Sequence, residues 1–286
     1  MTRITLGISP CPNDTFVFAG LLTGSVEAHG LDLSIELADV ETLNERFGSG
    51  VYDASKASVA RALALSASAL VLPAGAALGR GVGPLLLAAR GRARRSQPAR
   101  VLCPGAGTTA TALYRLFHRD EGVIEHRPFH EILPALSRGE ADLGVCIHEA
   151  RFTWREHDVE LVEDLGERWE ALTRAPLPLG AILARRTLAR EQLASLCRAI
   201  RASLAYAATH RDAALAVMRT HAQEHDDAVL WAHVDTYVNA FTRELGVEGR
   251  AALATFEHTL RPVLALDSPP LEVFAELPRA GRGPER

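Results

Sequence analysis

Short apolar runs alternate along most of the chain with longer segments of helical spacing. Residues 4–9, 31–37 and 141–147 show the period-two alternation or the continuous apolar run that is typical of strands. Residues 40–47 and 190–210 instead repeat their apolar side chains with the spacing of an amphipathic helix. Strands and helices that alternate in this way predict an α/β fold with parallel or mixed sheets, in which ligands bind at the edge where strands end.

Two proline-containing segments interrupt this alternation. Residues 91–98 are basic and end in proline, and residues 174–180 contain two prolines before the next strand-like run. We interpret these segments as crossings between two lobes. The predicted division is a larger discontinuous lobe, residues 1–89 plus 182–286, whose carboxyl-terminal part is helical, and a smaller inserted α/β lobe, residues 90–181. A ligand would be held between the two lobes.

The composition is that of a folded globular protein, with 48% hydrophobic and 23% charged residues. The net charge of -4 provides no basic surface for nucleic acid or for an anionic membrane. No apolar run reaches the roughly 18 residues of a membrane span, and the first residues lack the apolar core and cleavage site of a secretory signal. We therefore expect a cytoplasmic protein without nucleic-acid or membrane partners, and the sequence predicts no particular oligomeric state.

Several kinds of site with known sequence signatures are not supported. No two cysteines are arranged as Cys-x-x-Cys and no His-Glu-x-x-His spacing occurs, so we predict no metal site. The glycines at 79, 81 and 83 fit neither the dinucleotide fingerprint nor the phosphate-binding P-loop. A Gly-x-Ser-x-Gly elbow is also absent, which leaves a hydrolase triad unsupported. We interpret residues 75–84 as a flexible-backbone crossing between the lobes.

The strongest candidate for chemistry follows the apolar run at 141–147. His148 stands where this run stops, and Glu149 and Arg151 come directly after it. Histidine is the side chain best suited to move protons near neutral pH, and a strand end in an α/β fold is a common ligand position. The pattern therefore predicts a cleft with His148 as its proton-transfer group, supported by Glu149 and Arg151.

Other histidines and cysteines are weaker candidates. Cys146 shares a strand face with His148, but a strand interior is a poor position for a nucleophile, and we favour core packing. Cys11 is expected to be more exposed in its proline-flanked loop. The histidines on apparently polar helix faces or in loops are expected to be solvated; they are His130, His157, His210, His221, His225 and His233.

Two segments could hold an anion. Lys56 lies in a small-residued polar insert, residues 52–58, from which it could reach a ligand, although a solvated surface lysine is the commoner case. Thr108 and Thr109 follow a strand and a glycine-rich turn and begin a predicted helix. A helix amino terminus with hydroxyl groups suits a carboxylate, while the alternative is a threonine that only caps its own helix.

The turn at residues 9–15 also has two interpretations. Its two prolines precede a predicted helix at 16–22, so Asn13, Asp14 or Thr15 could cap the first helical turn. The same loop could instead form the floor of a cleft.

Six ordered segments resemble the 1,4-dihydroxy-6-naphthoate synthases of the futalosine route to menaquinone. The resemblance extends from about residue 4 to about residue 245. It rests on residues 9–16 (SPCPNDTF), 39–44 (DVETLN), 75–84, 147–153 (IHEARFT), 176–184 (PLPLGAILA) and 231–241 (WAHVDTYVNAF).

This resemblance implies a two-lobed fold like that of the type II periplasmic binding proteins, with a mixed sheet flanked by helices in each lobe. The implied activity is a carbon–carbon lyase reaction without a cofactor: cyclic dehypoxanthine futalosine gives 1,4-dihydroxy-6-naphthoate and dihydroxyacetone. By resemblance, His148 is the general base. The implied substrate-binding residues are Ser55, Lys56, Ala57, Thr108, Thr109 and Ala110. Alternatives are a cytosolic carboxylate-binding or sensor protein of the same fold without turnover, and the related chorismate dehydratase.

Overall fold

The computed structural model describes residues 3–91, 98–119, 121–223 and 226–276. The strands of its larger sheet are β1 (Arg3–Ile8), β2 (Asp32–Leu37), β3 (Ala54–Ser58), β4 (Ala69–Val71), β5 (Ala77–Gly79) and β11 (Leu177–Arg185). They lie in the order β2-β1-β3-β11-β4, and β5 also pairs with β11. β1 is parallel to β2 and β3, whereas β11 runs antiparallel to β3, β4 and β5.

The strands of the smaller sheet are β6 (Leu85–Ala89), β7 (Arg100–Cys103), β8 (Val123–His126), β9 (Leu143–Cys146) and β10 (Val159–Asp164). They lie in the order β10-β6-β9-β7-β8. β7 is parallel to β8 and β9, while β6 is antiparallel to β9 and β10. Both sheets are therefore mixed, as the alternating pattern and the resemblance predict.

Helices cover the sheets, and residues 190–260 are mostly helical, in agreement with their sequence pattern. Helices that follow the first strands are α1 (Pro12–Val17), α2 (Ala19–Leu22), α3 (Val40–Gly48) and α4 (Val59–Ala64). Helices of the smaller lobe and the return crossing are α5 (Thr109–His118), α6 (Phe129–Ser137), α7 (Ala150–Thr153) and α8 (Leu165–Thr173). The remaining helices are α9 (Arg190–Thr209), α10 (Arg211–His221), α11 (Asp227–Tyr237), α12 (Ala240–Arg243) and α13 (Gly246–Leu260).

The sheets divide the chain a few residues away from the sequence-based boundaries. Residues 85–89 were expected in the larger lobe, but as β6 they pair with β9 and β10 of the smaller sheet. The segment before residue 182 was expected to be a crossing, but β11 begins at Leu177 in the larger sheet. Pro178 fits in β11 because the pairing with β5 is irregular there, between Pro178 and Gly180.

Two glycines allow the crossings between the lobes to touch. A Cβ atom on Gly83 would lie 2.2 Å from the Cα atom of Gly166 on the return crossing. Arg151 joins the same crossings, because its guanidinium donates to the Gly83 carbonyl at 2.7 Å and pairs with Asp164 at 2.8 Å. The glycine-rich segment is therefore a crossing, as predicted, although it also contains β5.

The segment after the last helix joins the larger lobe. Val273 forms a parallel bridge with Val71 of β4, and the Phe274 ring is buried against the larger sheet's core. Residues 277–286 lie outside the described residues, as do His225 and residues 92–97 of the basic segment.

Candidate functional site

A cavity lies between the lobes and has about 680 Å³ of space free of protein atoms, part of it open to solvent. Both lobes contribute to its wall, because the carboxyl ends of β1, β3 and β9 and the first turn of α5 meet here. Larger-lobe lining residues include Ser9, Asn13, Asp14, Lys56, Ala57, Ser58, Leu179, Gly180, His233 and Tyr237. Smaller-lobe lining residues are Thr108, Thr109, Ala110, Ile147 and His148.

His148 follows the end of β9, as the sequence predicts, and its backbone is unusual. Its φ of 56° lies in the left-handed region, which non-glycine residues rarely adopt. This conformation turns the chain from β9 into α7, and the His148 carbonyl accepts a hydrogen bond from the Arg151 N–H at 3.1 Å. A rare backbone conformation at a cavity residue supports the hypothesis that His148 has a functional role.

The surroundings of His148 keep its imidazole neutral. Burial, against an opposing effect of Asp14 and with a smaller contribution from Lys56, lowers the pKa of His148 to about 4. The ring of Phe129 packs edge-on against His148 with a centroid distance of 4.8 Å. A neutral imidazole has a free acceptor nitrogen, so His148 can take a proton from a bound molecule.

The first turn of α5 lines the cavity with its backbone N–H end. Thr108 caps this helix, because its side-chain oxygen accepts from the Thr111 N–H, and its own hydroxyl donates to Gly105. The Thr109 hydroxyl donates to the Leu179 carbonyl across the cleft at 2.8 Å. Both hydroxyls therefore serve the protein. The N–H groups of Thr109 and Ala110 precede the first intrahelical bond and point from the positive end of the helix, which suits an anion.

Lys56 is not a solvated surface lysine. It is 7% exposed, and its Nζ donates to Asp14 Oδ1 at 2.6 Å and to the Gly75 carbonyl at 3.1 Å. Asp14 also accepts from the Ser9 N–H, from the Ser9 hydroxyl and from Asn13 Nδ2. The buried ammonium is thus already paired, and the cavity floor carries no excess charge from this pair.

This arrangement decides between the two interpretations of the turn at residues 9–15. Cys11 is the N-cap residue of α1 and makes no side-chain cap, so the predicted capping by Asn13, Asp14 or Thr15 is wrong. Asn13 and Asp14 instead form the cavity floor. Cys11 is buried rather than exposed, and its burial raises the pKa of its thiol.

Two further cavity residues come from α11. His233 was expected to be solvated, but its side chain is 0% exposed and lines the cavity beside His148, with a ring-centroid distance of 5.9 Å. Tyr237 lies one turn later and also lines the cavity. The sequence signal was available, because Leu230, His233, Val234 and Tyr237 have the i, i+3, i+4, i+7 spacing of a buried helix face. The other four described histidines in that group are exposed or partly exposed, as expected.

The structure brings most of the expected site residues together. Ser55 is the exception: it is fully buried, is not among the lining residues, and donates its hydroxyl hydrogen bond to the Lys56 carbonyl. Cys146 packs in the core as predicted, and burial raises the pKa of its thiol to about 12. The cavity-lining members of the expected set are Lys56, Ala57, Thr108, Thr109, Ala110 and His148.

Metal-binding clusters and membrane-spanning helices are both absent from the described residues. The part of the chain that the structure describes contains no cluster of three or more His, Cys, Asp or Glu side chains placed to hold a metal ion. Among the same residues, no helix combines the length and the apolar character needed to cross a bilayer.

Two curated relatives cover most of the chain. A protein of Thermus thermophilus named 1,4-dihydroxy-6-naphtoate synthase is 46% identical over 254 residues, which are 89% of this chain and 92% of the relative. A Streptomyces coelicolor protein of the same name is 41% identical over 262 residues, 87% of this chain and 90% of the relative.

Solved structures agree on the architecture. An Archaeoglobus fulgidus protein superposes with a TM-score of 0.86 at 28% identity and covers 92% of this chain and 98% of its own. The alkanesulfonate-binding protein of Xanthomonas axonopodis pv. citri superposes with a TM-score of 0.65 at 13% identity, covering 92% and 94%. A Candida albicans protein described as having the generic periplasmic binding protein fold gives 0.66 at 12% identity, covering 94% and 92%. The fold is therefore the expected two-lobed, type II periplasmic-binding-protein-like fold.

The family model described as "Menaquinone biosynthesis" matches residues 4–261, which is most of the chain. The match includes both lobes and every cavity residue described above. Together with the two relatives, it establishes that the chain belongs to the menaquinone biosynthesis family.

Proposed function

We propose that this protein is a carbon–carbon lyase that converts cyclic dehypoxanthine futalosine to 1,4-dihydroxy-6-naphthoate with release of dihydroxyacetone. The reaction needs no cofactor in this proposal, and the enzyme works in the cytoplasm. Two relatives with the product in their name, at 46% and 41% identity, support the substrate class. The observation that carries the proposal is His148 itself: its imidazole is neutral, its backbone φ is positive, and it follows the end of β9 in a cavity lined by both lobes.

His148 has the properties of a general base. Its acceptor nitrogen is free to take a proton because burial keeps the ring neutral well below neutral pH. A positioned general base contributes about 10²–10⁴-fold to a reaction rate. Loss of the proton starts the change that cleaves the carbon–carbon bond, and the aromatic ring that forms supplies driving force. Contacts between the lobes hold the substrate against His148 and exclude water.

The substrate carboxylate is assigned to the first turn of α5. Thr109 and Ala110 supply backbone N–H groups there, and Thr108 fixes the turn as its cap. Lys56 contributes the floor of the cavity together with Ala57, but Asp14 already neutralises its ammonium. Ser55, a buried residue of β3, supports this segment through its hydrogen bond to the Lys56 carbonyl. This division of roles explains how a carboxylate is bound without a free lysine.

A variant of His148 tests the chemistry. We choose His148→Gly because glycine adopts the positive φ of this position without strain. The expected result is a loss of turnover of at least about 10²-fold, with partial recovery when imidazole is added to fill the space of the missing ring. Product formation is followed by mass spectrometry. His148→Asn, which tolerates a positive φ but lacks a suitable base, is the matched control and should not be rescued.

Conversion and binding assays with the wild-type protein distinguish the proposed function from its alternatives. Conversion of cyclic dehypoxanthine futalosine to the naphthoate supports the lyase. Tight binding without conversion would contradict it and favour the carboxylate-binding or sensor protein. Dehydration of chorismate by the same preparation would favour the related dehydratase. Near-normal turnover by His148→Gly without imidazole would contradict the role of His148 as base.

A further inference from the structure

His233 is the cavity residue whose presence the proposed chemistry does not explain. It comes from α11 of the larger lobe and faces His148, which belongs to the smaller lobe, with the two rings inclined by 14°. The rings of Tyr237 and Phe152 lie 4.6 and 6.0 Å away, so the imidazole is set in an aromatic wall. This placement puts His233 directly beside the proposed base, on the opposite side of the cleft.

The ring nitrogens of His233 lack protein partners. Both are buried, and neither has a hydrogen-bond partner among the described residues. His118, which is also largely buried, differs in this respect, because its two ring nitrogens lie 2.9 Å from Glu121 and 2.8 Å from Glu163. Buried polar groups in proteins are nearly always hydrogen-bonded, because leaving one unpaired is costly. A structural role alone therefore does not account for a histidine at position 233.

We propose that His233 is a second substrate-contacting residue, whose neutral imidazole forms a hydrogen bond with an oxygen on the reacting ring of the bound substrate and product. The carboxylate is already assigned to the α5 turn, and the ring next to His148 is the one that loses a proton. A naphthoate of this kind has a carboxylate on one ring and two oxygens on the other. The identity of the ligand rests on the proposed function, whereas the contact rests on the geometry of His233.

The surroundings of His233 favour hydrogen bonding over proton storage. Burial, His148 and Lys56 all disfavour the protonated ring and lower the pKa of His233 well below its ordinary value. Once His148 has accepted a proton, a second cation at 5.9 Å would be repelled strongly in this partly dry cavity. His233 therefore remains neutral during the reaction, and its N–H can donate to the oxygen on which negative charge develops.

The test compares two ligands that differ only in the ring oxygens. One is the product, 1,4-dihydroxy-6-naphthoate, and the other is 2-naphthoate, which keeps the carboxylate but has no hydroxyl groups. We expect His233→Phe to weaken binding of the dihydroxy compound by about tenfold, the scale of one net hydrogen bond, without weakening binding of 2-naphthoate. His233→Gln, which retains an N–H donor, should recover part of the loss. Affinities are measured by calorimetry or by displacement of a fluorescent ligand.

A control on the same helix separates contact from packing. Leu230→Met changes a fully buried α11 residue that does not line the cavity, and it should leave both affinities unchanged. An equal loss for the two ligands in His233→Phe and in His233→Gln would overturn the proposal, because it would indicate a change of cavity shape. Unchanged binding of the dihydroxy compound in both variants, or failure of the wild type to bind either ligand, would overturn it as well.

The outcome for His233 is independent of the outcome for the reaction. Wild-type protein that binds the dihydroxy compound through His233 but does not convert cyclic dehypoxanthine futalosine would contradict the proposed function and leave this contact intact. Conversely, the wild type could convert cyclic dehypoxanthine futalosine while the His233 variants bind both naphthoates as the wild type does. That result would support the proposed function and contradict the His233 contact.

Discussion

The Lys56–Asp14 pair shows at the residue scale how the cavity holds charges without offering them to a ligand. Both side chains are nearly inaccessible, and Asp14 has four donors around it, three of them from its own turn and one from Lys56. A buried ion pair gains little net stability, but removal of one partner leaves an uncompensated charge. The pair therefore fixes the floor of the cavity through the high cost of breaking it.

This cost gives a testable prediction. Lys56→Met should lower the free energy of unfolding by about 3 kcal/mol, because Asp14 then remains buried without a counter-charge. The double variant Lys56→Met/Asp14→Asn should recover part of this loss, since neither charge remains. Urea denaturation measures both values. A single variant as stable as the wild type would contradict the buried pairing.

Sequence reasoning identified His148 for a physical reason and missed His233 for another. A histidine at the end of an apolar run is placed by the strand, so its position at the sheet edge follows from the local pattern. His233 lies on the face of α11 whose apolar spacing predicts burial, but histidine is often a surface residue and was assigned to the polar face. The spacing predicts that position 233 is buried, whereas its place in the cavity wall beside His148 depends on how the two lobes meet.

At the scale of elements, the contact between Gly83 and Gly166 sets how closely the two crossings approach. A methyl group on Gly83 would meet the Gly166 backbone at 2.2 and 2.3 Å, so one crossing would have to move. We expect Gly83→Ala to lower the free energy of unfolding by about 2 kcal/mol, the scale of overpacking in a tight site, and to lower turnover because the cavity lies between the displaced lobes.

A second glycine provides the control. Gly249→Ala is in α13, where the added methyl group would meet side-chain and Cβ atoms of Leu245 at 3.0 and 3.1 Å, and alanine favours the helix. This variant should have nearly wild-type stability and full activity. Thermal unfolding and steady-state assays of the two variants compare the effects. Equal behaviour would show that the crossing contact has no special role.

Two strands that line the cavity, β3 and β11, were misassigned from the sequence. β3 was interpreted as a polar insert because three of its five residues, Ser55, Lys56 and Ser58, are polar, yet all five are buried. Its polar groups find partners that only the tertiary structure supplies, such as Asp14 for Lys56. β11 was cut short because prolines such as Pro176 and Pro178 usually end strands, but Pro176 precedes β11 and the irregular pairing with β5 accommodates Pro178. Regular strands such as β1 and β9 were predicted correctly because their apolar residues mark them in the local sequence.

For the molecule as a whole, the two lobes are joined across the cleft as well as through the crossings. Glu41 of the larger lobe accepts a hydrogen bond from the Gly107 N–H of the smaller lobe at 3.0 Å, and Thr109 bonds Leu179. The two-lobed architecture could be predicted from the two interruptions of the pattern, whereas the exact boundaries depend on which sheet β6 joins. That choice is made by pairing over long sequence distances.

The neutral histidines of the cavity make the folded state sensitive to acid. His148 has a folded-state pKa of about 4, below the ordinary 6.5 that it regains on unfolding. Between these values the unfolded chain binds more protons, so the free energy of unfolding falls as the pH drops below 6.5. From pH 7 to pH 5, His148 should account for a loss of about 2 kcal/mol.

Comparison with His148→Asn isolates this contribution from that of the carboxylates. The wild type should lose about 2 kcal/mol more than the variant between pH 7 and pH 5, measured by urea denaturation at each pH. Parallel stability curves for the two proteins would mean that the imidazole at 148 titrates normally in the folded state.

The bridge between Val71 and Val273 has a consequence for the order in which the chain folds during synthesis. All strands of the smaller sheet lie between Leu85 and Asp164, so that sheet can be completed as soon as this stretch has left the ribosome. The larger sheet must wait for β11, and its edge is closed only by the segment at Val273 and Phe274. The cavity strands β1 and β3 thus wait for β11 at residues 177–185, and the edge strand β4 waits for the segment at Val273, which makes the larger lobe the slower one to fold.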